Sequence, residues 1–382
     1  MAVRGVYTKV EQEMLEKAYQ SPFMKAGWAK LRTKAVATEE SVRSFAMAID
    51  PWNPLWSNES YCANTRWGGI IAAPMYVARF MGGGLNLAAP PEVGYHGGNY
   101  IGEDWEFFHP VRPGDTFRMW HRPSVLEDIT PLDGKGYRTF RLIPQDYDYI
   151  NQKDELVCRY KVLLDDVYQP DPLNRTVMAE SRYKYTEAEL DFIDQISNQE
   201  EIRGSEVRYW EDVNVGEAIK LIAASPTSIS DIANFVTGSM GGGMPATKGT
   251  GRGGPMSQRN PETGAYFHGA EHHFSDDAAK LSGVSHAFRF GAYARHMMAR
   301  LVTNWMGDDG ILRKYYWRHM TVSPIGDSII GRGKVAKKYI ENGEHLVDIQ
   351  VWLDNLRGNV SEAAVATVSL CTKETPTPYQ WK

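Results

Sequence analysis

Several histidines that lie close together in the chain, with acidic residues nearby, could take part in a chemical reaction. His268, His272 and Asp276 are spaced four residues apart, as on one face of a helix, and His273 follows directly after His272. Such a set could bind a metal or transfer protons. Gly269 weakens a helix here and no His-Glu-x-x-His pattern is present, so we expect acid–base chemistry and no metal.

A glycine-rich segment at 249–254 matches the pattern Gly-x-Gly-x-x-Gly. A dinucleotide site needs a strand before this pattern and a helix after it. Here more glycines precede it and Pro255 follows it, so we expect a loop and no cofactor. Lys248 and Arg252 on this loop could bind a phosphate group, or the loop could close over a pocket.

The chain contains two related halves. Two segments are alike: 113–116 reads Pro-Gly-Asp-Thr and 324–328 reads Pro-Ile-Gly-Asp-Ser. Each begins with proline and is predicted to form a turn between two strands. A little over half of the chain separates their aspartates, Asp115 and Asp327. Two large copies indicate a fused dimer, in which a site can form at the seam and the halves can diverge.

Composition limits the kind of protein and its partners. Of 382 residues, 42% are hydrophobic and 23% charged, as in a globular protein of two or three domains. The net charge of −5, without a basic patch, argues against nucleic acid. We see neither a long apolar run for a membrane span nor a signal peptide. Three scattered cysteines, Cys62, Cys158 and Cys371, are expected to be reduced, so we expect a cytoplasmic protein.

Aromatic residues make up 12% of the sequence, including 11 Trp and 20 Tyr. The simpler interpretation of this richness is a well-packed core. The alternative is a wide pocket lined by aromatic rings, which would suit a bulky or flat ligand.

Hydrophobic periodicity predicts helices at the same places in both halves. We predict helices at 39–49 and 228–236, and buried helices at 70–81 and from about 287 to 306. Pro51 and Pro54 end the first helix, and Pro74 is tolerated in the first turn of the helix at 70–81. An amphipathic helix at 187–199 would connect the halves.

Alternating patterns predict strands after each buried helix. They lie at 105–109, 116–125, 137–146 and 155–164, and again at 315–320, 328–339, 344–355 and 362–371. The fold class is therefore α+β, with a buried helix against an antiparallel sheet in each half. We place an N-terminal domain at 1–183, a connector at 184–204 and a C-terminal domain at 205–382, with a glycine-rich insertion at 240–271.

These pieces, in this order, resemble the MaoC-like hydratase/dehydratase family over most of both halves. The resemblance rests on an ordered set of motifs: Asp50-Pro-Trp-Asn53-Pro54-Leu55-Trp56, Thr65-Arg-Trp-Gly-Gly-Ile70, the segment 106–116, His273-x5-Ala279-x3-Gly283, and the segment 318–327. It implies a double hot-dog fold, with two antiparallel sheets each wrapped round a long central helix. It further implies CoA-thioester ligands, reversible addition of water to a 2-enoyl-CoA, and a homodimer or higher homo-oligomer.

The family's catalytic signature, Asp-x-Asn-Pro-x-His, is altered in the first half. Asp50 and Asn53 remain, but Trp56 stands where His is expected, and Trp cannot take up a proton. Asp50 is more simply interpreted as a turn carboxylate than as a catalytic one. We expect this half to shape a pocket for the acyl chain, with Trp52, Trp56 and Trp67 as candidate walls.

The second half carries the better histidine. His273, next to His272, has the position of the family's His, ten residues before Gly283. A helix start near 283–287 would polarise the thioester carbonyl. The family's Asp is missing, and the carboxylates that could replace it are Asp276, Asp277, Glu271 and Asp50.

The resemblance thus predicts an acyl-CoA hydratase or dehydratase with a bulky acyl group. Asn53, Trp56, Trp67 and Gly283 are expected to contact substrate, and Arg289, Lys248 and Arg252 its phosphates. A hot-dog thioesterase is one alternative. Because the signature is altered in both halves, a non-catalytic acyl-CoA-binding partner subunit is another.

Overall fold

A computed structural model describes residues 2–29, 31, 35–80, 95–143, 146–169, 181–239, 257–259, 263–281 and 284–375. Within these ranges the helices are α1 (Lys9–Tyr19), α2 (Glu39–Ile49), α3 (Glu59–Ala63), α4 (Glu187–Asn198), α5 (Ile229–Ser239), α6 (Asp276–Leu281) and α7 (Gly291–Met306). Short 3-10 turns occur at Pro22–Met24, Pro54–Trp56, Tyr76–Phe80, Trp210–Asp212 and Gly269–His273. No helix in the described part of the chain has the length and apolar character needed to cross a membrane.

The strands of the first half are β1 (Gly27–Trp28), β2 (Tyr95–Phe107), β3 (Phe117–His121), β4 (Val125–Asp128), β5 (Arg138–Ile143), β6 (Asp146–Asn151) and β7 (Leu156–Gln169). Those of the second half are β8 (Ala218–Ala224), β9 (Ser257–Arg259), β10 (Tyr266–His268), β11 (Ile311–His319), β12 (Ile329–Glu341), β13 (Glu344–Asp354) and β14 (Val360–Ser369). β9 and β10 pair with each other inside the predicted insertion. β8 was not predicted from the sequence.

The sheets of the two halves join into one continuous antiparallel sheet. Its strand order is β1-β3-β6-β7-β2-β11-β14-β13-β12-β8, with β4 and β5 attached through β7. The halves meet where β2 pairs with β11, with Trp105 opposite Tyr315. Both side chains are fully buried, so the core continues across this junction.

The long central helix of the second half is α7, and it is buried on most of its surface. It begins at Gly291 after Phe290, which provides no side-chain cap, and it ends at Gly307 with a φ of 71°. Glycines on β12 allow α7 to approach the sheet closely. A Cβ at Gly331 would lie 3.2 Å from Leu301 Cδ1, and 2.6 Å from Ile222 Cγ1 on β8.

The predicted first-half counterpart, a buried helix at 70–81, was wrong for the residues described. Residues 70–75 are not helical, and only a 3-10 turn forms at Tyr76–Phe80. Pro74 disfavours helical geometry at Ala73, and Met75 has a φ of 66°. The same apolar residues instead line a cavity, so within the described chain the two halves differ at their centres.

The predicted helices with clear N-terminal caps are confirmed. Thr38 accepts a hydrogen bond from the Ser41 amide at α2, and Thr186 forms a capping box at α4. At α5 the Ser228 hydroxyl accepts from the Asp231 amide at 3.1 Å. α2 and α5 pack closely together. A Cβ added at Gly238 on α5 would lie only 2.5 Å from the Ala48 side chain on α2, so glycine allows this approach. α4 packs on β8 of the second half.

Candidate active site

The N-terminus of α7 is the polar centre of the second half. The first amides of a helix have no intrahelical acceptor, and they carry partial positive charge. With no side-chain cap from Phe290, this end can bind an oxygen on which negative charge develops. Three histidines surround it: His272, His273 and His319.

His273 packs directly on this helix end. Its side chain is buried, with 9% of the residue exposed, and its ring stacks on Phe290 at a centroid distance of 3.6 Å. Its Nδ1 lies 2.7 Å from the Phe288 carbonyl oxygen, which can only accept, so the hydrogen of His273 is on Nδ1. Burial, and secondarily the nearby His272, lowers the pKa of His273 well below its usual value. The ring is therefore neutral near pH 7, with a basic Nε2.

His272 and His273 form a hydrogen-bonded pair. Their Nε2 atoms lie 3.1 Å apart. Since Nε2 of His273 carries no hydrogen, Nε2 of His272 is the donor. The His272 ring also stacks on Phe288 at 4.8 Å, which fixes the orientation of the pair.

Asp276 does not join these histidines, although it was a candidate for the missing carboxylate. Its Oδ1 accepts from the Ala287 amide at 2.8 Å, and its Oδ2 lies 3.2 Å from His286 Nδ1 and 2.8 Å from Arg182. Burial alone would raise its pKa, but these hydrogen bonds and charges hold the pKa of Asp276 below its usual value. Asp276 therefore fixes the segment leading into α7.

Asp50 lies elsewhere and also cannot replace the missing carboxylate. Its Oδ2 accepts from Trp56 Nε1 at 2.8 Å, and its Oδ1 lies 3.5 Å from Arg300 Nε. Arg300 is in the third turn of α7, about 13 Å along the axis from Gly291. Burial raises the pKa of Asp50 although Arg300 and Trp56 favour its charged form. Trp56 thus takes the place of a histidine beside Asp50, as predicted.

A third histidine, His319, was not recognised in the sequence as a site residue. It ends β11, and a Cβ at Gly291 would lie only 2.1 Å from its Nε2. Glu362 is its partner in register on β14, and Oε1 of Glu362 lies 3.4 Å from Nδ1 of His319. No spacing in the sequence connects residues 319 and 362; only the strand register brings them together.

Glu362 is a buried, ionised carboxylate. Burial alone would raise its pKa, but Arg289, His319 and Ser361 lower the pKa of Glu362 to about 2. NH2 of Arg289 donates to Oε2 of Glu362 at 2.8 Å, and to Ser323 and Ser361 at 3.1 Å each. Because Arg289 is only 4% exposed and its NH2 group is bonded to Glu362, Ser323 and Ser361, the expected contact with a CoA phosphate is not supported.

The first half contains an apolar cavity at the opposite end of α7. It encloses about 650 Å³, including the solvent space at its mouth, and Trp56, Trp67, Met75, Phe107 and Met306 are among its lining residues. Met306 is the last residue of α7, which is 16 residues or about 24 Å long. The structure therefore does not bring Trp56 and Trp67 together with His273.

Other predicted contacts have different roles. Trp52 is 74% exposed, so it is not a wall of this cavity. The Asn53 side chain accepts from the Leu55 amide at 3.1 Å and caps a 3-10 turn. Gly283, Lys248 and Arg252 lie outside the described residues.

Comparisons with known proteins agree with this architecture. Residues 26–160 match the family model described as "FAS1-like, dehydratase domain region". A solved structure described as a MaoC-like dehydratase has a TM-score of 0.63 at 14% identity, covering 93% of this chain and 99% of that chain. By sequence, no curated protein matches.

Two further structures are similar over nearly the whole chain. A MaoC domain dehydratase from Chloroflexus aurantiacus J-10-fl has a TM-score of 0.54 at 14% identity, covering 94% of this chain and 96% of that chain. RV0216 of Mycobacterium tuberculosis, described as having a double hotdog fold, has a TM-score of 0.53 at 11% identity, covering 91% and 96%.

Fold and site together define an α+β double hot-dog protein whose polar centre lies at the N-terminus of one central helix. The double hot-dog fold expected from the resemblance to the MaoC-like family is confirmed by these structural matches. The match at 26–160 supports a relationship to hydratases and dehydratases in general.

Proposed function

We propose that this protein is a carbon–oxygen lyase that adds water to a 2-enoyl thioester or removes it, with coenzyme A as the carrier. The observation that carries this proposal is the gathering of His272, His273 and His319 around the uncapped N-terminus of α7. An oxygen-binding helix end and neutral imidazoles are the two components that this reaction needs.

The chemistry follows from these two components. The thioester oxygen binds at the amides that begin α7. An imidazole takes a proton from water while the water oxygen bonds to the β-carbon. The electrons of the double bond move to the thioester oxygen, where the helix end stabilises the negative charge. The α-carbon then receives the proton, and the thioester carbonyl is restored.

The acyl group next to the reacting carbons would meet aromatic side chains of the second half. Phe288 and Phe290 pack against His272 and His273, and Tyr293 follows in the first turn of α7. The cavity lined by Trp56 and Trp67 would serve the same substrate only if its acyl chain ran the length of α7.

A panel of short, long, aromatic and polycyclic 2-enoyl-CoA thioesters tests the proposal, with mass spectrometry for a gain of water and an assay for free thiol. In His273→Ala, turnover should fall by about 10²–10⁴-fold because an acid–base group is lost. His345→Ala is the matched control, since that histidine packs on Trp210 at 5.0 Å, at another part of the sheet.

The other outcomes are equally informative. Full turnover in His273→Ala would remove this residue from the mechanism. Release of free thiol would show a thioesterase instead. Binding of the thioesters without any turnover would show a non-catalytic subunit.

A further inference from the structure

His273 alone cannot both hold a water and remove its proton. Its Nδ1 donates to the Phe288 carbonyl, and its Nε2 accepts from His272. The family signature solves this problem with a carboxylate, but Asp276 and Asp50 both have other partners. A second proton acceptor at the N-terminus of α7 is His319 on β11, which packs against Gly291.

His319 is oriented for this role by its contact with Glu362. Glu362 is ionised and can only accept hydrogen bonds, so the hydrogen of a neutral His319 is on Nδ1, facing Glu362. The free electron pair is then on Nε2, which lies against Gly291 at the helix start. This is the arrangement in which a carboxylate fixes the tautomer of a catalytic histidine and stabilises its protonated form.

The surroundings of His319 are also suited to proton transfer. Its side chain is 24% exposed, whereas Glu362 beneath it is 2% exposed, so only the imidazole can reach a ligand. Arg289 forms a buried ion pair with Glu362, which holds the carboxylate in place. The ring centroids of Trp317 and Tyr100 lie 4.9 and 6.2 Å from that of His319, and these T-shaped contacts limit the motion of the imidazole.

We propose that His319, oriented by Glu362, is a catalytic base of this site and replaces the carboxylate that the family signature has lost. The inference rests on the proposed hydratase function. A water bound at the helix end donates one hydrogen to Nε2 of His319. His319 takes the proton as the hydroxyl bonds to the β-carbon, and it then returns that proton to the α-carbon, so no net proton is gained or lost.

The decisive variant is His319→Asn. The Asn amide group can take over the hydrogen bond from Nδ1 to Glu362, so the buried pair with Arg289 is retained, but the basic Nε2 is gone. We expect turnover to fall by about 10²–10⁴-fold with little change in KM. His345→Asn is the matched control and should keep wild-type turnover.

A second variant separates a missing base from a damaged structure. His319→Ala should be inactive, and added imidazole should restore part of its turnover because the free base can enter the vacated space. Long-range ¹H–¹⁵N spectra of wild-type protein labelled in histidine should show His319 with its hydrogen on Nδ1.

The outcomes distinguish the inference from the proposed function. Turnover in His319→Asn equal to that of wild type, alongside an inactive His273→Ala, would overturn the inference and leave the function intact. The same holds if imidazole rescue fails or if the spectra show the hydrogen on Nε2. A wild type that hydrates no thioester would reject the proposed function, and this role for His319 with it.

Discussion

The two halves differ most at the positions where the family signature falls. In the second half, His273 packs on the beginning of a 16-residue helix. In the first half, Trp56 is hydrogen-bonded to Asp50, and a cavity occupies the region where a matching helix was expected. The comparison teaches that, among the described residues, the first half has an apolar cavity and a tryptophan beside Asp50, whereas the second half has a long central helix with a histidine at its start.

Among matched changes in the two halves, the largest effect on turnover should come from a change at the start of α7. In Gly291→Ala the new methyl group would lie 2.1 Å from His319 Nε2, so the imidazole must move. A displacement of about 1 Å can cost on the order of 10²-fold in rate. Gly69→Ala in the first half is the control, since its methyl group would meet nothing nearer than Arg112 at 4.0 Å. Equal turnover in both variants would contradict the importance of this helix end.

Matched leucines test whether the centres of the halves are packed differently. Leu301 on α7 packs under β12, whereas Leu55 lines the first-half cavity, and both are buried. Leu301→Ala should lower the free energy of unfolding by about 2–5 kcal/mol. Leu55→Ala should cost less, because it enlarges a space that already exists. Chemical denaturation measures both, and a larger loss for Leu55→Ala would break the comparison.

The two buried carboxylates should respond to pH in opposite directions. The pKa of Glu362 falls from 4.5 to about 2 on folding, so its contribution to stability is present above pH 4.5 and is lost as the pH falls towards 2. This loss is about 3 kcal/mol. The pKa of Asp50 is raised, so its contribution is present below 3.8 and is lost as the pH rises through its folded pKa.

Denaturation of Glu362→Gln and Asp50→Asn across this pH range provides the check. The wild type should lose stability towards low pH more steeply than Glu362→Gln does. Asp50→Asn should become more stable relative to the wild type as the pH rises. Parallel curves for all three proteins would show that neither carboxylate is shifted as the structure indicates.

The sequence was informative where structure is decided locally. Hydrophobic periodicity predicted α2, α4 and α5, and the structure shows Ser or Thr capping the first turn of each. The apolar run at 70–81 was misassigned, because hydrophobicity alone does not distinguish a buried helix from a cavity wall. Pro74 was the available signal, and it was interpreted as a first-turn proline.

The site was predicted only in part for a related reason. His272 and His273 are adjacent in the chain, so both were recognised as candidates together. The contact of His319 with Glu362 depends on the pairing of β11 with β14, and the distance between His273 and Trp67 depends on the length of α7. Neither follows from local patterns.

The junction of β2 with β11 has a consequence for any attempt to divide the protein. If the chain were cut in the connector and the halves were separated, β2 and β11 would each become an edge strand. Each would then expose a row of unpaired backbone N–H and C=O groups. An exposed edge strand can pair with the same strand of a second molecule. We therefore expect an isolated half to self-associate or to aggregate, whereas the intact chain satisfies both edges internally.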